Sequence, residues 1–506
     1  MNARIAHLAT GILLALAAPA TAQPPSTLTI ALREDPDVLD PTLGFAYVSR
    51  IVYAAMCDKL FDIDEHLAIV PQLATGWTYE DPTHLVLQLR PGVRFQDGEP
   101  FDAEAVRYSL TRHQTLKGSM RTGEVNAIAS MEVIDPLHLR LVLKAPSTPL
   151  LSMLADRAGI PVSPRAAETA GSNFGAHPVC VGAYAFEGRV PQDSITLTRS
   201  RDYWDDAHSH FDRIIYRPMP NPAVRLANLQ AGTVDLVEQI LPSDADAVRT
   251  NPKLRLTAGD GIAYSGINFN IANGPASDFP AGRSALVRQA FEAAIDRKAL
   301  IQVVYDGLYV PNAQANPPSS PFHLQDLVPP PRDLDRARAL LNQAGVTLPV
   351  PITLTVTNAP DQQQVGEVIQ AMTAEAGFAV TLQATEFASA LQAGYGGRFQ
   401  AFLINWSGRV DPDGNTWQLL HTGGTFNYGH WSNPEADALL DQARTISDVD
   451  ARRALYARFW QIERADMPLV YLWTPRNIVG LKRGLDGFVQ VPDGLIRVRG
   501  LRMTSG

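Results

Sequence analysis

The sequence predicts an α/β fold spread over about three domains or two large lobes. Three observations lead there. The chain has 506 residues, and domains run to roughly 100–200 residues. Helix–glycine–strand units recur along it, as expected where helices cover mixed sheets. Several segments alternate apolar and polar residues with the period of a half-buried strand.

In chain order, the first element is a leader. Arg4 gives a weakly positive start, Gly11 to Ala18 form a short apolar core, and Ala20-Thr21-Ala22 supplies small residues before Gln23. This reads as a cleavable secretory signal over residues 1–22, too short to span a membrane. Strands follow by alternation at Thr83–Arg90 and Leu137–Leu143. Asp102 is placed to cap a helix over Ala103–His113. Asn221 caps a helix with Pro222 at its first position, Gly232 stops it, and Thr233–Val237 continues as a strand. A single long helix is expected from about Ser284 to Tyr305, with Val287, Phe291, Ala294, Ile295, Ile301 and Val304 as its apolar stripe. The run Pro311–Pro331 reads as a long irregular segment. Two more helix–glycine–strand units follow. One has a helix over Asp335–Ala344, Gly345 and the strand Ile352–Thr357. The other starts its helix at about Gln364 and reaches Phe378–Leu382 past Gly377. Asn433-Pro434 then opens a helix over Glu435–Arg444.

Composition narrows the function. The apolar share of 45% is ordinary for a globular core. A net charge of −9 argues against nucleic acid as a partner, which favours basic surfaces. Cys57 and Cys180 are the two cysteines. In an exported chain they are expected to form a disulfide, the alternative being two buried thiols. No nucleophile elbow, zinc-helix pair, phosphate loop or dinucleotide fingerprint occurs. His208-Ser209-His210 reads as a polar turn before it reads as a metal chelate, and Asp411 with Asp413 fits a structural Asx loop better than a hydrolase pair. The expectation is a protein without enzymatic activity and without a cofactor.

Several segments together resemble the peptide/nickel/opine family of extracytoplasmic solute-binding proteins, which includes the dipeptide- and oligopeptide-binding proteins. They are Ile69–Trp77, Leu89–Val106, Gly182-Ala183-Tyr184, Asp193–Leu197 with Asp202-Tyr203-Trp204, and Val287–Ala290 with Ala294–Arg297. Val181 and Ala183 depart from the family's glycine-rich pattern before Tyr184. The resemblance implies the two-lobed periplasmic binding protein fold (class II, cluster C), with an additional third domain and a hinge between the lobes. Lobe I would take residues 23–54, 175–268 and 474–506, the extra domain 55–174, and lobe II 269–473. It also implies a monomer in the periplasm. That monomer would close on a small-molecule solute, a peptide, an opine or similar, and deliver it to an inner-membrane ABC permease and its ATPase. Two alternatives stay open: a binding protein that signals to a membrane receptor, and an exported hydrolase.

The resemblance also points to a site. In dipeptide binders an acidic residue three positions after a lobe II tryptophan holds the peptide amine. Here that position, counted from Trp406, is Arg409. The arginine that grips the peptide carboxylate falls at Gln363 or Gln364. Both ends of the clamp are therefore altered. A guanidinium suits a carboxylate or phosphate, so an anionic solute is one expectation. The other is that Arg409 pairs with Asp411 and fixes the loop. Trp406, Trp417, Phe426 and Tyr428 are candidates for an aromatic wall, and Tyr47 for the opposite wall.

Overall fold

The structure is a computed structural model that describes residues 26–504. The leader expected over residues 1–22 lies outside the described residues. Among those described, no helix is long and apolar enough to cross a membrane.

Two mixed sheets form the lobes. The first has seven strands, in the order Leu254–Asp260, Arg476–Lys482, Leu236–Val237, Thr27–Leu32, Arg213–Pro218, Ser194–Arg199 and Tyr184–Val190. Thr27–Leu32 runs parallel to both of its neighbours, and the other pairs are antiparallel. The second sheet has six strands: Val310–Pro311, Leu469–Thr474, Tyr264–Phe269, Ala401–Trp406, Val350–Thr357 and Phe378–Thr385. Its core strands are buried on both faces, as Tyr264–Phe269 and Leu469–Thr474 are along their whole length, because helices cover the sheet. A separate antiparallel sheet, Ala74–Asp81, His84–Leu89, His138–Leu143 and Ile128–Asp135, makes the third domain. One face of it packs on its own core of Leu85, Leu87, Leu139 and Leu141.

The chain crosses between the two large sheets at two adjacent places. Strand Leu254–Asp260 continues through 261–263 into Tyr264–Phe269, and Leu469–Thr474 continues through Pro475 into Arg476–Lys482. Asp260 pairs in register with Arg476, so the crossings lie side by side. The first crossing precedes Tyr264, which places the strand Tyr264–Phe269 in the second sheet and not in lobe I as the 175–268 boundary had it. Gly261 is required here, because a Cβ would stand 2.7 Å from the Pro475 carbonyl oxygen. A disulfide joins Cys57 to Cys180. It fastens the end of helix Tyr47–Met56 to the segment where the chain leaves the third domain.

Most expected elements are present, and three differ, the strand expected over Thr233–Val237 being confined to Leu236–Val237. The helix expected over 284–305 is two helices, Ala285–Ala293 and Arg297–Tyr305. Asp296 leaves the helical conformation and accepts a hydrogen bond from the Ala299 amide, so it caps the second helix. The apolar stripe survives because both helices bury their faces in one core. The helix before Gly377 begins at Pro360, earlier than expected, with proline at its first position where no amide is needed.

Candidate functional site

A cleft lies between the two large sheets, beside the crossings, with about 1530 Å³ of space free of protein atoms, its open mouth included. The loop after strand Thr27–Leu32 contributes Arg33 and Glu34, and the start of helix Tyr47–Met56 contributes Tyr47. Lobe II contributes Trp406 from the end of strand Ala401–Trp406, and Asp361 and Gln362 from the start of helix Pro360–Ala374. Ligands favour this position, where strand ends and helix starts converge.

Tyr47, Trp406, Phe426 and Tyr428 line the cleft. The Trp406 and Phe426 rings sit 5.0 Å apart, and the Trp406 indole donates to Asn415 Oδ1 at 3.0 Å. Asn415 also binds the backbone of Arg409 in both directions, at 2.6 and 2.8 Å. Gly408 then turns with φ +75°, and a Cβ there would lie 2.1 Å from the Ile262 carbonyl oxygen. The loop is thus pressed onto the first crossing, and this orients Trp406.

The remaining expected residues stand elsewhere. Arg409 is 6% exposed and forms an ion pair with Asp156 at 2.7 Å, outside the cleft lining. Its guanidinium sits 4.8 Å from the Trp406 ring centre. It does not pair with Asp411, which pairs with Arg452 at 2.7 Å, also away from the cleft. Arg409 and Asp411 stand two positions apart in the sequence, but the tertiary fold supplies each with a partner distant in the chain. Trp417 stacks on His421 and donates to Asp441 at 2.9 Å, outside the lining. Gln363 donates to the Asn358 carbonyl and Gln364 is exposed, and neither lines the cleft. Helical rotation turns their neighbour Gln362 inward instead.

Charge in the cleft comes mainly from residues that sequence reasoning missed. Asp156 binds Arg50 at 2.9 Å and Arg409 at 2.7 Å. Burial pushes the Asp156 carboxyl up, but Arg409 and Arg50 outweigh it and hold the carboxyl well below the usual range. Arg121 is bound to Glu124 at 2.5 Å. Arg157, next in the chain to Asp156, lines the cleft and is 2% exposed. Its one side-chain hydrogen bond among the described residues goes to the Gly44 carbonyl at 3.2 Å, and its Nε has none. Burial and then Arg121 pull its guanidinium down to about 9, so it stays charged at neutral pH. Four arginines therefore share two carboxylates, and Arg157 is the one without an ion pair among the described residues. Nothing in the local sequence marks it, since the cluster assembles from four separate segments. Arg33 and Glu34 did carry a signal: they directly follow the carboxyl end of the first strand.

The sequence profile of the bacterial extracellular solute-binding proteins, family 5, middle region, matches residues 68–427. The chain belongs to this family. Among curated relatives, the glutathione-binding protein GsiB of Salmonella paratyphi A is 29% identical over 485 residues, covering 92% of each chain. Among solved structures of the same fold, Helicobacter pylori DppA in complex with the peptide STSA superimposes with a TM-score of 0.86 at 23% identity, over 94% of this chain and 98% of that one. AgaA of A. tumefaciens R10, in complex with agropinic acid, gives 0.85 at 24% identity, over 95% and 99%. The Escherichia coli murein tripeptide binding protein MppA gives 0.88 at 21%, over 95% and 99%. Family 5 membership and these folds agree with the two-lobed architecture built around the cleft.

Proposed function

We propose that this family 5 protein works in the periplasm, where it captures a small anionic solute, peptide-like or opine-like, and hands it to an ABC permease. The observation that carries the anionic part is Arg157: a buried guanidinium at the cleft wall without a carboxylate partner among the described residues. An unpaired buried charge costs several kcal/mol, and a carboxylate on the solute offsets that cost while forming charge-assisted hydrogen bonds. Aromatic walls from both lobes support a small-molecule cleft, because contacts made to two lobes at once favour the closed state. The ligands of the relatives, glutathione for GsiB and agropinic acid for AgaA, both carry carboxylates. The lobe boundaries that fit this reading are the crossings at 261–263 and Pro475.

Isothermal titration of the mature protein with glutathione, agropinic acid and the dipeptide Met-Leu tests it. One of the two net-anionic compounds should bind more tightly than Met-Leu, and Arg157→Gln should weaken that binding at least about tenfold. Preference for Met-Leu, or an Arg157→Gln variant with undiminished affinity, would sink the anionic reading.

A further inference from the structure

Within the run Arg33-Glu34-Asp35, two of the three charges are satisfied inside the protein. Arg33 pairs with Glu238 at 3.4 Å, donates to Gln239 at 3.3 Å, and sits 4.5 Å from the Tyr47 ring centre. Asp35 pairs with Arg189 at 3.0 Å and accepts from the Gln192 amide at 3.0 Å. Glu34 lines the cleft, yet its carboxylate has no hydrogen bond or ion pair among the described residues. Arg225, also on the cleft wall, is held by the carbonyls of Met219, Pro220 and Gln239. No cation among the described residues is therefore committed to Glu34.

The charges that act on Glu34 differ from those around Arg157. Arg33 and Asp37 act from its own segment, Glu238 from the same lobe, and Glu386 from lobe II, ahead of helix Phe387–Tyr395. Arg157 instead feels Arg121, Asp156, Arg409 and Arg50. One part of the cleft wall thus carries an uncommitted carboxylate amid further carboxylates, and another part an uncommitted guanidinium amid further arginines.

We infer that Glu34 is a specificity-determining residue that receives an ammonium group of the solute, so that the solute is a zwitterion with its anionic group at Arg157. This rests on the anionic reading above and narrows it. The amine anchor then lies in lobe I, on the loop after the first strand, while Arg409, at the position where dipeptide binders carry an acid, serves the ion pair with Asp156. A cationic group at Glu34 also offsets the repulsion from Glu238 within lobe I and from Glu386 across the cleft, the second of which opposes closure of lobe II onto lobe I.

The assignment has a pH signature. Burial pushes the Glu34 carboxyl up, Arg33 opposes it, and Glu238, Asp37 and Glu386 add to it, leaving it at about 7. A protonated Glu34 cannot pair with ammonium, so affinity for a zwitterion should rise as pH rises through this value, while the solute amine is still largely protonated.

The test is titration calorimetry of the mature wild type, Glu34→Gln, Glu34→Asp and Arg157→Gln with three probes. They are glutathione, N-acetylglutathione, which lacks the ammonium, and agropinic acid, a lactam with a carboxylate and no ammonium. Wild type should bind glutathione at least tenfold more tightly than N-acetylglutathione. Its glutathione affinity should increase about tenfold from pH 5.5 to 7.5. Glu34→Gln should erase both effects, and Glu34→Asp should keep part of the discrimination. Arg157→Gln should weaken both glutathione forms alike. Equal binding of the two glutathione forms, or discrimination that survives in Glu34→Gln, overturns the assignment. Binding of agropinic acid alone overturns it while the anionic reading stands. Failure of all three probes overturns both.

Discussion

Asp156 connects three parts of the molecule through one carboxylate. It follows helix Leu150–Leu154 of the third domain and binds Arg50 of helix Tyr47–Met56 and Arg409 of lobe II. Removing it leaves two buried guanidinium groups unpaired, beside Arg157. Asp156→Ala should therefore cost about 3–5 kcal/mol, read from urea unfolding. A loss under about 1 kcal/mol would mean that water replaces the carboxylate. Arg409→Met removes charge and partner need together, so it should cost less than Asp156→Ala. Glu463 gives a prediction of opposite kind. It is buried, and its Oε1 has no hydrogen bond among the described residues. Burial pushes its carboxyl up, Arg464 opposes this, Glu292 reinforces it, and the result is about 8. The folded value lies above the unfolded one of about 4.3. Its contribution is therefore present below that unfolded value and lost as pH rises through 8. Glu463→Gln should gain stability relative to wild type between pH 5 and 8, by up to about 1.4 kcal/mol per pH unit. Thermal melts of the two proteins across that range check it, and parallel curves would refute it.

Secondary-structure elements were legible where their signals are local. Asp102, Asn221 and Asn433 all accept hydrogen bonds from the amides of the helices they precede. Gly232 ends its helix in the left-handed conformation. The strands at His84–Leu89, His138–Leu143 and Val350–Thr357 stand where alternation placed them. The single helix expected over 284–305 is two, because the apolar stripe runs on across a break that Asp296 caps. Periodicity sees only the stripe. Gly408 is the element-scale test. Its positive φ and its approach to Ile262 both exclude a side chain. Gly408→Ala should destabilise by at least about 1–3 kcal/mol. It should also shift Trp406 away from the cleft, visible as changed tryptophan fluorescence with weakened ligand binding. A variant with unchanged melting and fluorescence would remove the loop from the account of the site.

At the scale of the whole molecule, hydrogen bonds tie its parts to one another. Thr148 of the third domain bonds the Arg444 and Ile446 carbonyls of lobe II, and Arg50 of lobe I donates to Ser407. The disulfide adds a restraint of another kind, closing a loop across a sequence separation of 123 residues. Chain entropy assigns such a loop about 4–5 kcal/mol. The double variant Cys57→Ser, Cys180→Ser should lose roughly that much in denaturant unfolding, with ligand affinity little changed, because neither cysteine lines the cleft. Equal stability with and without reductant would contradict it.

By itself the sequence determined the class of the molecule. Capping residues, alternation and helix–glycine–strand units specify elements through neighbours a few positions away, and the family segments specify how those elements assemble. It also singled out Tyr47, Trp406, Phe426 and Tyr428, which line the cleft. Charge pairing was decided only by the tertiary structure. Arg409 is matched to Asp156, Asp411 to Arg452, and Arg33 to Glu238, each across a long stretch of chain. Which charges remain uncommitted, Arg157 and Glu34, follows only after those pairings are made. The reason is physical. Helix and strand signals are local in the chain, whereas electrostatic partners are selected by proximity and burial in space, which the order of residues does not display.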